Sequence, residues 1–109
     1  MEISKGILDL QHYLDQFKAA LKGKKEVHIR AFTDRIKVFH YVTCICEVTE
    51  KGEITLDNGG YETATTKRHL NTCLEVLKKE ERIYQKGFKW YVNGLDSVEF
   101  TSQFKMTTY

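Results

Sequence analysis

The chain has 109 residues, of which 41% are hydrophobic and 12% aromatic, with 7 glycines and no proline. This composition supplies enough apolar surface for a core and excludes both a disordered chain and a proline-rich recognition segment. The 17 Lys and Arg residues against 15 Asp and Glu residues give a net charge of +2, which selects no class of partner. We expect a single domain over residues 1–109, with an N-terminal helix in residues 1–24 and an α+β core in residues 26–109.

An amphipathic helix is predicted at the N-terminus, over residues 5–22. Apolar side chains recur there at spacings of three and four, which places them on one stripe: Ile7, Leu10, Leu14, Phe17 and Leu21. Ser4 is the predicted N-cap, and Gly23 marks the end of the helix. The sequence leaves two arrangements open for this stripe, packing on the chain's own sheet or forming a homodimer with a second copy.

The acidic residues in this segment also bear on the cellular compartment. Glu2, Asp9 and Asp15 interrupt its apolar residues, so we expect neither a secretory signal nor a membrane span. The cysteine count of three is odd, which argues against a disulfide framework. A cytoplasmic protein with reduced thiols and no membrane partner is predicted.

Strands are predicted next, because the hydrophobic period changes to two from Glu26. One strand ends at the polar Thr33-Asp34 break, and a longer alternation over residues 36–48 predicts a second strand covered on both faces. A short loop over residues 50–52 leads to Ile54 and Leu56. These segments predict a meander of three strands.

A second helix and further strands follow. Four residues at positions i, i+3, i+4 and i+7 predict a helix that begins near Thr65 or Thr66, namely Leu70, Cys73, Leu74 and Leu77. Residues 83–92 predict a hairpin around Lys86-Gly87, and the apolar residues of the tail predict one or two edge strands. The predicted fold is α+β, an antiparallel sheet of about five to seven strands packed against one long helix, with the additional N-terminal helix.

The histidines and cysteines are candidates for a zinc site. His40, Cys44 and Cys46, joined by Cys73 or His69, have the right ligand types, but residues two apart on a strand lack the usual spacing of zinc ligands. Core packing is the favoured interpretation, and neither a metal nor a cofactor is predicted.

Cys73 and His69 are a candidate nucleophile and base, since residues four apart on a helix can touch. Cys73 belongs to the apolar stripe, however, and burial raises the pKa of a thiol instead of activating it. Together with the absence of a paired-carboxylate or phosphate-loop motif, this predicts a protein that is not an enzyme. A cryptic His/Cys enzyme or zinc site ranks third among the functions.

The start of the second helix is the main candidate site. Lys67, Arg68 and His69 would oppose the positive end of the helix dipole, which disfavours cations by about 0.3–1 kcal/mol each. A phosphate or a partner's carboxylate bound there, by backbone N–H groups and hydroxyls, would compensate. The predicted binding surface comprises Tyr61, Thr65, Thr66, Lys67, Arg68, His69, Lys86, Lys89 and Trp90. The alternative is that these cations form a solvated face and the aromatic residues build the sheet.

The segment from Leu56 to Val92 carries a family resemblance. The matching residues are Leu56, Asn58, Gly59, Gly60, Tyr61, Thr63, Thr65, Thr66, Lys67, Asn71, Tyr84, Gln85, Lys86, Trp90, Tyr91 and Val92, with Phe100 and Met106 in the tail. This pattern resembles small bacteriophage-encoded proteins of unassigned function with a Gly-Gly-Trp/Tyr-x-Thr-x-Thr-Thr-Lys motif. The resemblance covers about residues 38–108, leaves residues 1–35 outside, and has Tyr61 where tryptophan is usual.

The resemblance implies a phage accessory protein that acts in the host bacterial cell. Such proteins often work stoichiometrically, so the favoured function is non-enzymatic binding to a host protein or a protein–nucleic acid complex. Inhibition of host defence, including anti-CRISPR activity, is one form of this function. The alternative is direct binding of DNA or RNA by the basic helix start.

Overall fold

The computed structural model describes residues 8–60, 62–93, 98–100 and 103–108. Within these residues the chain forms two α-helices and eight β-strands. In chain order the elements are α1 (Leu10–Ala20), β1 (Val27–Ala31), β2 (Arg35–His40), β3 (Thr43–Thr49), β4 (Glu53–Leu56), α2 (Ala64–Val76), β5 (Ile83–Lys86), β6 (Lys89–Val92), β7 (Val98–Glu99) and β8 (Phe104–Thr107).

The strands form two antiparallel sheets, which corrects the predicted fold. A five-stranded sheet has the order β1-β2-β3-β4-β8, and a three-stranded sheet has the order β5-β6-β7. The chain is α+β as predicted, but the arrangement of a single sheet against one long helix is wrong. One physical reason lies in Asn71 of α2, whose side-chain amide donates to the Ile83 carbonyl and accepts from the Ile83 N–H. These bonds attach the edge of β5 to a helix instead of to another strand.

The alternation over residues 36–48 contains a hairpin, not one long strand. β2 ends at His40, Tyr41 and Val42 make the turn, and His40 pairs with Thr43 of β3. Tyr41 has a φ of 57°, a left-handed conformation that non-glycine residues rarely adopt. The turn contains neither glycine nor proline, so the sequence carries none of the usual turn signals.

Both helices begin at residues other than those predicted. α1 begins at Leu10 with Asp9 as its N-cap, whose carboxylate accepts from the His12 N–H; the predicted cap, Ser4, lies outside the described residues. α2 begins at Ala64 with Thr63 as its N-cap, just before the predicted start. In both cases the cap is a side chain with an oxygen acceptor, as the physics of helix ends requires.

The core joins both helices to the five-stranded sheet. Phe17 and Leu21 of α1 are buried in the same cluster as Leu70 and Leu74 of α2 and Val38 of β2. The apolar stripe of α1 therefore packs within the chain, which is one of the two predicted arrangements. No helix in the described ranges is long and apolar enough to cross a membrane.

The tail divides between the two sheets. β7 pairs with β6, whereas β8 pairs with β4 at the edge of the larger sheet. The prediction of one or two edge strands in the tail is confirmed. Phe100, between these strands, is buried and contacts Trp90 of β6, with ring centroids 6.0 Å apart.

Candidate functional site

The first turn of α2 is closed by its own cap. The Thr63 side-chain oxygen accepts from the Thr66 N–H at 3.1 Å, and the Thr63 hydroxyl donates to the Thr66 hydroxyl oxygen at 3.0 Å. The backbone carbonyl of Thr63 accepts from the Lys67 N–H. The N–H group and hydroxyl of Thr66, which we expected to bind an anion, are therefore used inside the protein.

Three polar side chains from separate elements meet beneath this turn. His69 of α2 is 1% exposed, and its Nε2 lies 3.0 Å from Oε2 of Glu26. His40, at the end of β2, lies beside His69 with ring centroids 5.0 Å apart. One ligand-type atom from each of the three residues lies within 4.8 Å of the other two. We call Glu26, His40 and His69 the histidine cluster.

The cluster perturbs the pKa values of two of its members. Hydrogen bonds from its own backbone and from His69 hold the pKa of the Glu26 carboxyl below its usual value. Burial lowers the pKa of His40, and the neighbouring His69 lowers it further. Both shifts favour a deprotonated Glu26 and a neutral His40 at neutral pH.

A cavity of about 440 Å³ opens beside the cluster. It is lined by His40, Tyr41, Val42, Thr43, Thr63, Thr65 and Thr66, and we call it the threonine cavity. Tyr41 is 67% exposed and Val42 is 89% exposed. His40 connects the two features, because it belongs to the cluster and also lines the cavity. The Thr66 hydroxyl lies 3.4 Å from Nδ1 of His40.

The opposite side of α2 carries the predicted cations. Lys67 and Arg68 lie in a groove of about 480 Å³ that is also lined by Ala64, Asn71, Thr72, Glu75 and Arg82; we call it the basic groove. Arg82 approaches Glu75 at 3.9 Å. Within the described parts of the chain, Lys67 and Arg68 form no ion pair with an acidic side chain. These two side chains are therefore available to an external anion.

The remaining predicted site residues are dispersed. Lys86 and Lys89 are exposed and pair across the β5–β6 hairpin, and neither lines the basic groove. Trp90 is 1% exposed, and its Nε1 is buried without a hydrogen-bond partner in the described residues. Its ring belongs to the core and not to an accessible surface. Tyr61 lies outside the described residues.

The cysteines do not join the histidines. The Cys44 thiol donates to the Cys46 carbonyl oxygen at 3.6 Å, and burial raises the pKa of Cys44 to about 11. Cys46 and Cys73 are buried and hydrogen-bonded to each other through their side chains, which raises the pKa of Cys46. Cys46 and Cys73 lie in the core, Cys44 is half-buried, and His69 contacts Glu26.

Sequence reasoning missed Glu26 and Arg82 as parts of these sites. Glu26 lies 43 positions before His69, and a separation of that size belongs to no short motif. Arg82 lies beyond the end of α2, away from the helix start on which the sequence prediction rests. The usable signal in the sequence is the pair His40 and His69, which are candidate zinc ligands by residue type.

These features define a small α+β protein with an exposed basic groove on one side of a helix and a partly buried histidine cluster on the other. The chain belongs to the family described as Kyanoviridae Gp96 protein, which matches residues 8–108. This is a family of phage proteins, as the resemblance implied. The match includes the whole of α1, which the resemblance left outside. No curated protein and no solved structure matches the chain.

Proposed function

We propose that this protein is a non-enzymatic phage accessory protein that binds a host protein or a protein–nucleic acid complex stoichiometrically. The observation that supports the proposal is the basic groove, in which Lys67 and Arg68 have no acidic partner in the described chain. Side chains with several N–H donors suit phosphate groups or carboxylates on a partner. Inhibition of a host defence complex, including anti-CRISPR activity, is the form of this function that would benefit a phage most directly.

The surface around the groove has the composition of a binding site. The β2–β3 turn presents Tyr41 and Val42 to solvent on the threonine cavity, whose lining includes Thr65 next to Ala64 of the groove. Binding energy in protein interfaces concentrates on Tyr, Trp and Arg residues, surrounded by contacts that exclude water. Arg68 is therefore the residue of the groove that we expect to contribute most to affinity.

The proposal is tested by capture and by charge reversal. The full chain is used to capture a partner from a bacterial lysate. The purified partner is then titrated in a calorimeter, first with the parent chain and then with the Lys67→Glu/Arg68→Glu variant. We expect the variant to lose a few kcal/mol of binding free energy, because two charged contacts become repulsive. Affinity equal to that of the parent chain would reject the basic groove as the contact surface.

A matched control separates local contacts from net charge. Lys51 and Lys105 are exposed on the side of the five-stranded sheet, and reversing both produces the same change in net charge. The Lys51→Glu/Lys105→Glu variant should bind as tightly as the parent chain, apart from a small loss of long-range attraction that salt removes. Equal losses in the two variants would indicate steering by net charge and not a contact site.

Direct binding of DNA or RNA is the second candidate, favoured by the tip of the β5–β6 hairpin. Phe88 is 95% exposed there between the exposed Lys86 and Lys89, a combination of aromatic and cationic side chains suited to stacking on bases. The affinity should then fall steeply with salt, by about 0.7–0.9 logarithmic units per phosphate contact. A gel-shift series at several salt concentrations measures this slope, and the absence of binding excludes this candidate.

A further inference from the structure

We propose that Glu26, His40 and His69 bind one divalent transition-metal ion of the zinc or iron(II) class. Two imidazoles and one carboxylate are a donor set that such ions take in proteins, with three protein ligands and positions left for other ligands. The three side chains come from the residue before β1, the end of β2 and the middle of α2. The fold, and not a local motif, brings them together.

The separations fit a metal centre. His69 Nε2 and Glu26 Oε2 lie 3.0 Å apart, which is near the spacing of two atoms bound to one ion through bonds of about 2.0–2.2 Å. An ion between them replaces the proton of their hydrogen bond. The ligand atom of His40 lies within 4.8 Å of both, so a small movement of this half-buried side chain brings all three atoms to one ion.

The surroundings supply what a three-ligand centre needs besides its ligands. The Thr66 hydroxyl, 3.4 Å from Nδ1 of His40, orients that ring from α2, and partners of this kind support metal-binding histidines. His40 also lines the threonine cavity, so the open coordination positions face a space that admits water or a small anion. On the side away from this cavity, the buried His69 shields the centre from solvent.

The thiols are not ligands in this arrangement. Cys46 and Cys73 hydrogen-bond to each other, and Cys44 donates to a backbone carbonyl. The donor atoms are two nitrogens and one oxygen, which suits zinc and iron(II) and disfavours the soft copper(I) ion. The histidine cluster also lies on the opposite side of α2 from the basic groove, so this inference does not depend on the proposed function.

The test is metal titration of the full chain after removal of metal with a chelator. Zinc sulfate in a calorimeter should show one saturable site per chain, and zinc should raise the melting temperature. Cobalt(II) in the same site should give visible d–d absorption without the near-ultraviolet charge-transfer band of a thiolate ligand. Absence of saturable binding of either ion, or a thiolate band, would overturn the proposal.

The Glu26→Gln variant provides the sharpest comparison, because glutamine can keep a hydrogen bond to His69 while removing the carboxylate. We expect its zinc affinity to fall by at least about tenfold and its melting temperature to become less responsive to zinc. His40→Gln should behave in the same way. If His40→Gln does not fold, Glu26→Gln and the cobalt spectrum decide.

Control variants address adventitious binding to surface groups. His12 of α1 and Glu53 of β4 are both exposed and lie outside the cluster. His12→Gln and Glu53→Gln should bind zinc as the parent chain does. Loss of binding in either control together with unchanged binding in Glu26→Gln would place the ion elsewhere and refute the assignment.

Discussion

The two sides of α2 differ although their residues alternate along one short segment. On the inner side, Thr66 and His69 are each 1% exposed and bond to the cap, to Glu26 and toward His40. On the outer side, Lys67 and Arg68 make no ion pair in the described part of the chain. The inner residues therefore hold the helix and the cluster in place, whereas the side chains of the outer residues do not pair with acidic groups of the described chain.

The largest expected effect is a difference in the free energy of unfolding between substitutions at two consecutive residues, Arg68 and His69. His69→Ala should lower the free energy of unfolding by about 3 kcal/mol, because it leaves a buried void and removes the partner of Glu26. Arg68→Ala should change it by less than about 0.5 kcal/mol, since the side chain is exposed. Urea denaturation of both variants measures the contrast, and similar losses would abolish the distinction between the two sides.

Removal of the N-cap of α2 should have an intermediate effect on the free energy of unfolding. Thr63→Ala removes the acceptor of the Thr66 N–H and should lower the free energy of unfolding by about 1 kcal/mol. Thr65→Ala is the matched control, since Thr65 is the second residue of α2 and is not its N-cap. Thermal unfolding of the pair checks this, and a greater loss in Thr65→Ala would contradict Thr63 as the N-cap.

Charge reversal on the outer side should leave stability almost unchanged. Lys67 and Arg68 are the fourth and fifth residues of α2, where the first turn ends and the influence of the helix dipole is already falling. Lys67→Glu/Arg68→Glu should therefore unfold within about 0.5 kcal/mol of the parent chain, even as it loses binding. A large loss of stability in the denaturation curve would mean that these cations support the fold.

The smallest effect concerns the thiols. Burial raises the pKa of Cys44 from its ordinary 9.0 to about 11, so the folded chain keeps this proton after the unfolded chain has lost it. Cys44 therefore leaves stability unaffected below about pH 9 and reduces it as the pH rises from there towards about 11. Its alkylation by iodoacetamide, followed by peptide mass spectrometry, should keep increasing over this range. A plateau near pH 9 would contradict the shift.

Cys73, on the inner side of α2, should be the contrasting thiol in the same experiment. It is fully buried and hydrogen-bonded to Cys46, so its alkylation requires opening of the core. We expect Cys73 to react only under conditions that unfold the chain. Reaction of Cys73 as fast as Cys44 in the native state would contradict the packing of this side.

Periodicity predicted those elements whose signals are local. The stripe that includes Phe17 and Leu21 predicted α1, and the residues around Gly87 predicted the β5–β6 hairpin. The hairpin at Tyr41 was missed because its turn uses a left-handed non-glycine residue, and alternation continues through it. A bulge between Val38 and Phe39 further shifts the register, which no period-two pattern can reveal.

The candidate sites were predictable only in part for a similar reason. Lys67 and Arg68 were identified because their position near a helix start is a local property. That His69 faces Glu26, or that Trp90 is buried against Phe100, depends on which elements pack together. Aromatic and histidine side chains have an apolar body and a polar tip, so composition does not decide whether they lie inside or outside.

Residue spacing within single elements and one short pattern were enough to predict the helices, several strands, the α+β class and the phage resemblance. The division of the strands into two sheets and the meeting of Glu26, His40 and His69 depend instead on tertiary packing. The physical reason is that long-range pairing selects among locally equivalent strands and faces, through burial and hydrogen bonds that form only when distant segments pack.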